Sequence, residues 1–303
     1  MNGIAPPRTA LTLGPVLFNW APERWRDFYF RIADEAAVDT VVLGEVVCSK
    51  RAPLYGVHLP AVAARLKAAG KEVVFATLAL VIGPRDLELV EQLCGSGAMV
   101  EANDVSALAQ LRGRPHAIGP MVNVYNEGTL AWLAANGAVR ICLPPELSSQ
   151  SLAELRPVAI AREVIAFGRL PLAISARCYH ARGRGLTKAT CQFACDADPD
   201  GLEVRTLDDQ PFVAINGTQT MSHACVNLLG DVDDLRAHGI ERLRLSPHGF
   251  DMVAVADVFR RHLDGTLDQG EAQDRLEDLA GDMPFANGFY HRAEGLSWIE
   301  DDR

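Results

Sequence analysis

Short apolar runs rich in β-branched residues alternate along this chain with amphipathic stretches, which is the pattern of repeated strand–helix units. Pro22 and Pro84 stand where a first helical turn should begin, and Gly70 and Gly137 stand where helices should end. Eight strands are predicted in this way: Leu11–Phe18, Thr40–Val47, Glu72–Leu80, Ala98–Asn103, Ala117–Val124, Val139–Leu143, Leu170–Ser175 and Arg242–Ser246.

Eight strands, most of them followed by a helix, predict an α/β fold of the (β/α)8 barrel type. The alternative is an open doubly wound sheet, which shares the alternation but has no reason to prefer eight units. The 303 residues contain no linker or low-complexity tract, so we expect one domain over residues 1–303. Its main irregularity is residues 176–239, between the seventh and eighth strands, which contain a cysteine-rich loop and a predicted hairpin, LEVRTLDDQPFVAING.

The composition narrows the classes of function. A net charge of -10 and a sequence pI of about 5.3 argue against general binding of nucleic acid, which needs a basic face. No apolar run is long enough to span a bilayer, and the first 20 residues lack the features of a secretory signal, so a cytoplasmic location is expected. In a reducing compartment the seven cysteines favour metal or redox chemistry over disulfides.

Three cysteines lie close together in CYHARGRGLTKATCQFAC, as Cys178-x12-Cys191-x3-Cys195. Thiolates that converge from a flexible loop bind soft metals or iron–sulfur clusters, and such clusters take four cysteine ligands. The best-placed fourth ligand is Cys48, because it follows the second strand and therefore lies at the same end of a barrel as the loop after the seventh strand. Cys225 is the competitor.

The remaining cysteines, Cys94 and Cys142, fall within a helix and a strand, where a buried thiol usually serves packing. Zinc sites usually show two sets of closely paired thiols, whereas here one close pair has distant partners, so the spacing favours a cluster over structural zinc. Four cations of the loop could tune a cluster or simply be solvated: Arg177, Arg182, Arg184 and Lys188.

Polar residues at other strand ends could line a substrate pocket, although such residues are also common in ordinary loops: Asn19, Glu45, Asn103, Asn123 and Tyr125. Three histidines fall in the loops of the same face and are interpreted as polar loop residues: His180, His223 and His248.

The segment EVIAFGRLPLAISARCYHARGRGLTKATCQFACD resembles the signature region of the collagenase-like, U-type peptidase family. The shared frame consists of Glu163, Gly168, Leu170, Ser175, Arg177 and Cys178. Pro171 replaces the family's first cysteine and Ala176 replaces a glycine. These departures, together with an early lone cysteine in VVLGEVVCSKR, are similar to the branch of the family that acts in ubiquinone biosynthesis.

That resemblance implies a [4Fe-4S] protein with Cys48, Cys178, Cys191 and Cys195 as ligands, in which Cys48 replaces the cysteine lost at position 171. It implies a heterodimer with a homologous, UbiU-like partner that serves oxygen-independent hydroxylation of the ubiquinone precursor ring. A lipid-carrier accessory protein of the same pathway is a further candidate partner. The alternatives are a scaffold with structural zinc and a collagenase-like peptidase, for which the sequence shows no nucleophile–base pair.

Overall fold

The computed structural model describes residues 8–300; residues 1–7, part of the segment examined for a signal, and residues 301–303 of the expected domain lie outside them. The strands are β1 Ala10–Leu13, β2 Thr40–Leu43, β3 Glu72–Ala76, β4 Val100–Ala102, β5 His116–Ile118, β6 Ala138–Cys142, β7 Ala161–Ile174, β8 Leu202–Arg205, β9 Pro211–Asn216, β10 Gln219–Asn227, β11 Arg242–Leu245 and β12 Phe285–Ala286. Strands β1 to β7 pair in sequence, and β11 pairs in parallel with both β7 and β1. The ring of eight parallel strands is therefore closed, which confirms the (β/α)8 barrel and excludes the open sheet.

The helices are α1 Pro22–Glu35, α2 Ala52–Gly56, α3 Leu59–Ala68, α4 Pro84–Cys94, α5 Val105–Leu111, α6 Glu127–Ala135, α7 Ser149–Glu154, α8 Tyr179–Gly183, α9 Val232–Ala237, α10 Met252–Leu263 and α11 Gln269–Ala280. Pro22 and Pro84 begin α1 and α4, as predicted, because a proline fits the first turn, where its missing N–H has no helical partner. Between residues 8 and 300, no helix combines the length and the apolar character needed to cross a membrane.

Most predicted strands extend too far at their carboxyl ends. The second strand was expected to reach Val47 but ends at Leu43. Val46 and Val47 nevertheless stay buried, because they pack with Leu17 in an apolar cluster that fills part of the barrel mouth. Loops that are buried in this way carry the same apolar pattern as a strand.

The seventh strand was predicted at Leu170–Ser175, which misses its true beginning. It spans Ala161–Ile174, and the residues up to Phe167 form the barrel while the rest pairs antiparallel with β10. Gly168 marks the change of direction: its φ is +108°, and a Cβ there would lie 2.7 Å from Cβ of Ser246. A side chain at this position would collide with the loop that follows β11.

The segment between β7 and β11 contains the predicted hairpin, formed by β8 and β9. Strand β10 was not predicted; it pairs with β9 on one side and with the outer half of β7 on the other. The short strand β12 lies beside β10. This antiparallel extension carries the cysteine loop to the end of the barrel where the strands finish.

Candidate functional site

Four cysteines line one pocket at the carboxyl end of the barrel. They are the four that the sequence singled out: Cys48, Cys178, Cys191 and Cys195. Cys48 lies in the loop after β2, and the other three lie between β7 and β8. The structure thus brings a distant cysteine beside the three-cysteine loop. The pocket encloses about 340 Å³, part of which is open to solvent.

The other three cysteines lie elsewhere. Cys94 is buried on α4, and Cys142 is buried in the barrel on β6, in agreement with a packing role. Cys225 is buried on β10, in register with Arg169 of β7, and burial raises the pKa of its thiol to about 12. It does not line the pocket of the four cysteines, so its position does not support it as the fourth ligand.

The turn between Cys191 and Cys195 has an unusual backbone. Gln192 and Phe193 adopt left-handed conformations, with φ of 49° and 55°. Each costs about 1 kcal/mol for a residue with a side chain. A hydrogen bond from N of Ala194 to O of Cys191, at 2.9 Å, closes the turn. The turn directs both cysteine side chains to the same pocket.

Cys178 caps the short helix α8. Its sulfur accepts a hydrogen bond from N of Ala181 at 3.4 Å, and its thiol donates to O of Gly217 at 3.3 Å.

Two cations contact the cysteine sulfurs. The guanidinium of Arg51 is buried and donates to Sγ of Cys195 at 3.3 Å. The ammonium of Lys50 lies 3.5 Å from Sγ of Cys191 and also donates to two carbonyl oxygens of the cysteine loop. The two residues stand two and three positions after Cys48 in the chain. Neither was predicted to belong to the site, although the run Cys48-Ser-Lys-Arg is visible in the sequence.

Burial raises the pKa of two of the four thiols. Burial and the Glu45 carboxylate raise the pKa of Cys48. Burial also raises the pKa of Cys195, against the Arg51 guanidinium, which lowers it. Deprotonation of these groups therefore needs added positive charge, as a bound metal provides.

Buried side-chain amides connect the cysteine loop to the barrel through hydrogen bonds. Asn216 accepts hydrogen bonds from N of Asn19 and from Arg51, and its amide donates to O of Cys195 at 3.1 Å. Gln219 donates to O of Leu17 at 2.7 Å. These contacts explain why Cys48 and the distant loop meet. The sequence predicted only a hairpin over these residues, so the role of the two amides was missed.

The four thiols are the donor groups that could hold a metal centre here. Among residues 8–300, no three side chains of the His, Cys, Asp or Glu types lie close enough together to hold one metal ion. The thiolates of a four-iron cluster would each bind a different iron atom, so they would surround a volume instead of meeting at a point. Here four thiols line one pocket, and cations contact two of them.

The loop cations proposed from the sequence divide into two groups. Lys188 lines the cysteine pocket, whereas Arg177, Arg182 and Arg184 are exposed. Arg184 lies 3.5 Å from Asp198, which also contacts buried His180 at 2.8 Å. The contacts of Asp198 with Arg184 and His180 stabilise the cysteine loop.

The other two histidines also lie away from the cysteines. His223 lies 3.7 Å from Glu203 of the hairpin. His248 is buried and stacks on Phe250, and burial together with nearby Arg169 lowers its pKa to about 3. Neither histidine lines the cysteine pocket.

A second small pocket lies at the barrel mouth, where (β/α)8 enzymes place their active sites. It is lined by Asn103, Pro171 and Ser246, and by the buried pair of Glu101 and Arg244. Of the predicted strand-end residues, Asn103 lies here, Asn19 and Glu45 lie behind the cysteine pocket, and Asn123 and Tyr125 are exposed. The sequence analysis did not single out Glu101 or Arg244; a charged residue at an inward-facing strand position was the available signal.

Comparisons with known proteins complete the description. The sequence model of peptidase family U32 matches residues 28–300. Among solved structures, a phospho-2-dehydro-3-deoxyheptonate aldolase from Thermotoga maritima is similar over 91% of this chain and 71% of its own, with 11% identity and a TM-score of 0.44. An enolase, a putative galactarate dehydratase from Agrobacterium radiobacter, is similar over 87% of this chain and 50% of its own, with 11% identity and a TM-score of 0.32.

Proposed function

The chain belongs to peptidase family U32, and from that membership we propose that it is an iron–sulfur subunit of an oxygen-independent hydroxylation system rather than an active peptidase. One observation carries the proposal: Cys48, from the loop after the second barrel strand, lies with Cys178, Cys191 and Cys195 around one pocket. Four thiols without a histidine are a donor set that [4Fe-4S] clusters use, as do [2Fe-2S] clusters and structural zinc.

The residues of the chain would hold and tune this group. The four cysteines would bind it, while Arg51 and Lys50 would donate hydrogen bonds to two of the ligating sulfurs. Cations and donors next to the sulfurs offset the negative charge of a cluster with four thiolates and raise its reduction potential. When bound, the cluster supplies a one-electron carrier.

The substrate and partner rest on the resemblance of the cysteine pattern to the UbiV branch of the family. We propose a UbiU-like homologous protein as the partner in a heterodimer, with a lipid-carrier protein as an accessory. The ubiquinone precursor ring is the proposed substrate. Leu17 and Val46 line the pocket at the barrel mouth, and both residues also contact the loops that carry the cysteine site. The ring could therefore bind close to the cysteines.

The cluster is tested by anaerobic purification of the whole chain. We expect a brown protein with four iron and four sulfide ions per chain. Cys48→Ala, Cys178→Ala, Cys191→Ala and Cys195→Ala should each lose most of the iron, because each removes one ligand. Cys225→Ala is the matched control, since Cys225 is also buried in this region but faces Arg169.

Other results would overturn the proposal. Colourless protein with one zinc ion per chain would establish the zinc scaffold, and bleaching by Cys225→Ala but not by Cys48→Ala would refute the ligand set. Peptide hydrolysis by protein that contains no iron would establish the peptidase.

The hydroxylation role is tested in cells that lack this gene. When grown without oxygen, they should accumulate a ubiquinone precursor that is short of a ring hydroxyl. The wild-type gene should restore ubiquinone, and the Cys48→Ala gene should not. Normal ubiquinone levels in the deleted strain without oxygen would rule out this substrate while leaving the cluster in place.

A further inference from the structure

The outer surface of the cysteine loop is positively charged. Residues 176–193 contain four cations and no carboxylate, although the chain as a whole has a net charge of -10. Lys188 is half-buried and lines the cysteine pocket, whereas the other three cations are exposed. We call the surface formed by these three residues, Arg177, Arg182 and Arg184, the basic patch.

Two cations of the basic patch have no anionic partner within the described part of the chain. Arg184 lies 3.5 Å from Asp198. By contrast, no ion pair or hydrogen bond found in residues 8–300 involves the guanidinium of Arg177 or of Arg182. Exposed charges are screened by water and salt, so these two groups contribute little to the stability of the fold. Their positive charge is available to attract an anionic surface from solvent.

Both of these cations flank a cysteine of the pocket. Arg177 precedes Cys178 in the chain, and N of Arg182 donates to O of Cys178 at 3.1 Å. Cys178 itself is buried, as are Cys191 and Cys195. An exposed side chain is thus one peptide bond away from a buried thiol of the pocket. This surface therefore offers a short path for an electron between solvent and the pocket.

An exposed aromatic ring lies between the two cations in the sequence. Tyr179 is 47% exposed and begins the short helix α8. Arg182 stands three residues further along this helix, so the two side chains are neighbours on its surface. Tyrosine and arginine are enriched where proteins contact one another. The composition of this surface is therefore suited to contact with a protein.

The charge of the whole molecule narrows the choice of partner. A membrane or a long nucleic acid presents negative charge over a wide area, which a chain with a net charge of -10 repels. A small acidic protein is attracted by the basic patch alone, because charges more than about 8 Å away are screened at physiological salt. Weak electron-transfer complexes bury less than about 1,200 Å² and depend on such local charge contacts.

We propose that the basic patch docks a small acidic protein that carries one electron and delivers it to the cysteine pocket. The carrier is oxidised by one electron, the cluster held in the pocket is reduced by one electron, and no atom is transferred. The destination of the electron rests on the proposed function, whereas docking on the basic patch needs no iron. The two parts can therefore be tested separately.

Docking is tested by calorimetric titration of the full-length chain with flavodoxin, an acidic protein whose flavin transfers one electron at a time. We expect iron-free and iron-loaded protein to bind it alike, and more weakly as salt is added. The Arg177→Gln/Arg182→Gln variant should bind about tenfold more weakly, because two charge contacts are lost. Arg112→Gln/Arg156→Gln is the matched control. It makes the same change in net charge at two exposed arginines that follow α5 and α7, at the opposite end of the barrel, and should bind like the wild type.

Delivery of the electron is tested by mixing iron-loaded protein with fully reduced flavodoxin without oxygen. The blue, one-electron-oxidised form of flavodoxin reports the reaction. Its second-order rate constant should fall about tenfold in the Arg177→Gln/Arg182→Gln variant and stay unchanged in the Arg112→Gln/Arg156→Gln variant. The midpoint potential should be the same in all three proteins, since exposed charges are screened. A change in rate without a change in potential separates docking from tuning.

Other outcomes would overturn the proposal. Equal affinity of the wild-type and Arg177→Gln/Arg182→Gln proteins for flavodoxin, or no binding at low salt, would refute the docking surface. Tighter binding of the iron-free chain to vesicles of anionic phospholipid, lost in the same variant, would assign the basic patch to a membrane instead. Docking without reduction of iron-loaded protein would refute the electron path. If the chain binds no iron, the proposed function fails, and the titration of the iron-free chain still decides the docking.

Discussion

Two arginines are buried at the same end of this barrel, and their partners differ. Arg244, inside the barrel, donates to the carboxylates of Glu101 and Glu163. Arg51, at the cysteine pocket, donates to a carbonyl, an amide oxygen and a sulfur. In the described part of the chain, no carboxylate lies within salt-bridge distance of Arg51. The positive charge of Arg244 is thus paired by direct contact within the fold, whereas that of Arg51 faces a carboxyl, Glu45, only at longer range.

The charge of Arg244 therefore serves the fold, whereas the charge of Arg51 is suited to stabilise a negatively charged ligand. A buried cation is costly unless an anion compensates it. The nearest groups that can supply negative charge to Arg51 by direct contact are the cysteine thiols, and they do so only when deprotonated. Arg51 therefore favours the state in which the cysteines bind metal.

Glu163→Gln should give the largest effect, because it leaves Arg244 and Arg242 short of a carboxylate inside the barrel. We expect a loss of about 3–5 kcal/mol in the free energy of unfolding, measured by denaturant titration. Glu203→Gln is the control, since its pair with Arg205 is exposed to solvent and should contribute little to stability.

The same carboxylate gives a pH dependence. Burial favours the neutral acid, but the guanidinium groups of Arg244 and Arg242 outweigh it and lower the pKa of Glu163. A lowered pKa in the folded state contributes stability above the ordinary pKa of a glutamate, and this contribution is lost as the pH falls below it. The Glu163→Gln protein should therefore lose less stability on acidification than the wild type. An equally steep loss would show that other groups cause it.

Arg51→Met should affect the free energy of unfolding less than Glu163→Gln does, and it should affect the properties of the cluster more. In iron-free protein the loss of stability should be smaller, about 2 kcal/mol, because no direct ion pair is broken and Glu45 interacts with Arg51 only at longer range. In iron-loaded protein the midpoint potential should become more negative by on the order of 50 mV, the equivalent of about 1 kcal/mol for a one-electron couple. Spectroscopic redox titration measures this shift.

Arg177→Met is the control for Arg51→Met, because Arg177 is an exposed cation of the cysteine loop. Exposed charges are screened by solvent and salt, so this change should leave the potential nearly unaltered. If both variants shift the potential equally, the net charge of the loop is responsible and the contact of Arg51 with Cys195 is not.

The sequence predicted the barrel and singled out four cysteines that line one pocket, because both depend on patterns within short segments and on the rule that strand ends share a face. Their role as ligands stays a prediction. The sequence did not predict β10 or the true start of β7. There the chain runs from a parallel into an antiparallel sheet, and Glu163 interrupts the apolar run because it pairs with arginines inside the barrel. Nor did it predict the roles of Arg51 and Asn216. Their importance comes from contacts between residues 165 positions apart, which no local pattern contains.

The smallest change is Gly217→Ala, which tests how much the position of Arg51 matters for the cysteine pocket. Gly217 has a φ of +74°, and a Cβ there would lie 2.3 Å from Nη2 of Arg51. Gly70→Ala is matched to it, with a φ of +77° and open space around the added atom. Both variants lose about 1–2 kcal/mol because alanine disfavours this conformation. Gly217→Ala should lose about 1 kcal/mol more, since Arg51 is displaced from Cys195 and Asn216, and only this variant should lower the midpoint potential. Equal stability and equal potential in the two variants would show that Gly217 serves the turn alone and that the position of Arg51 is fixed by its other contacts.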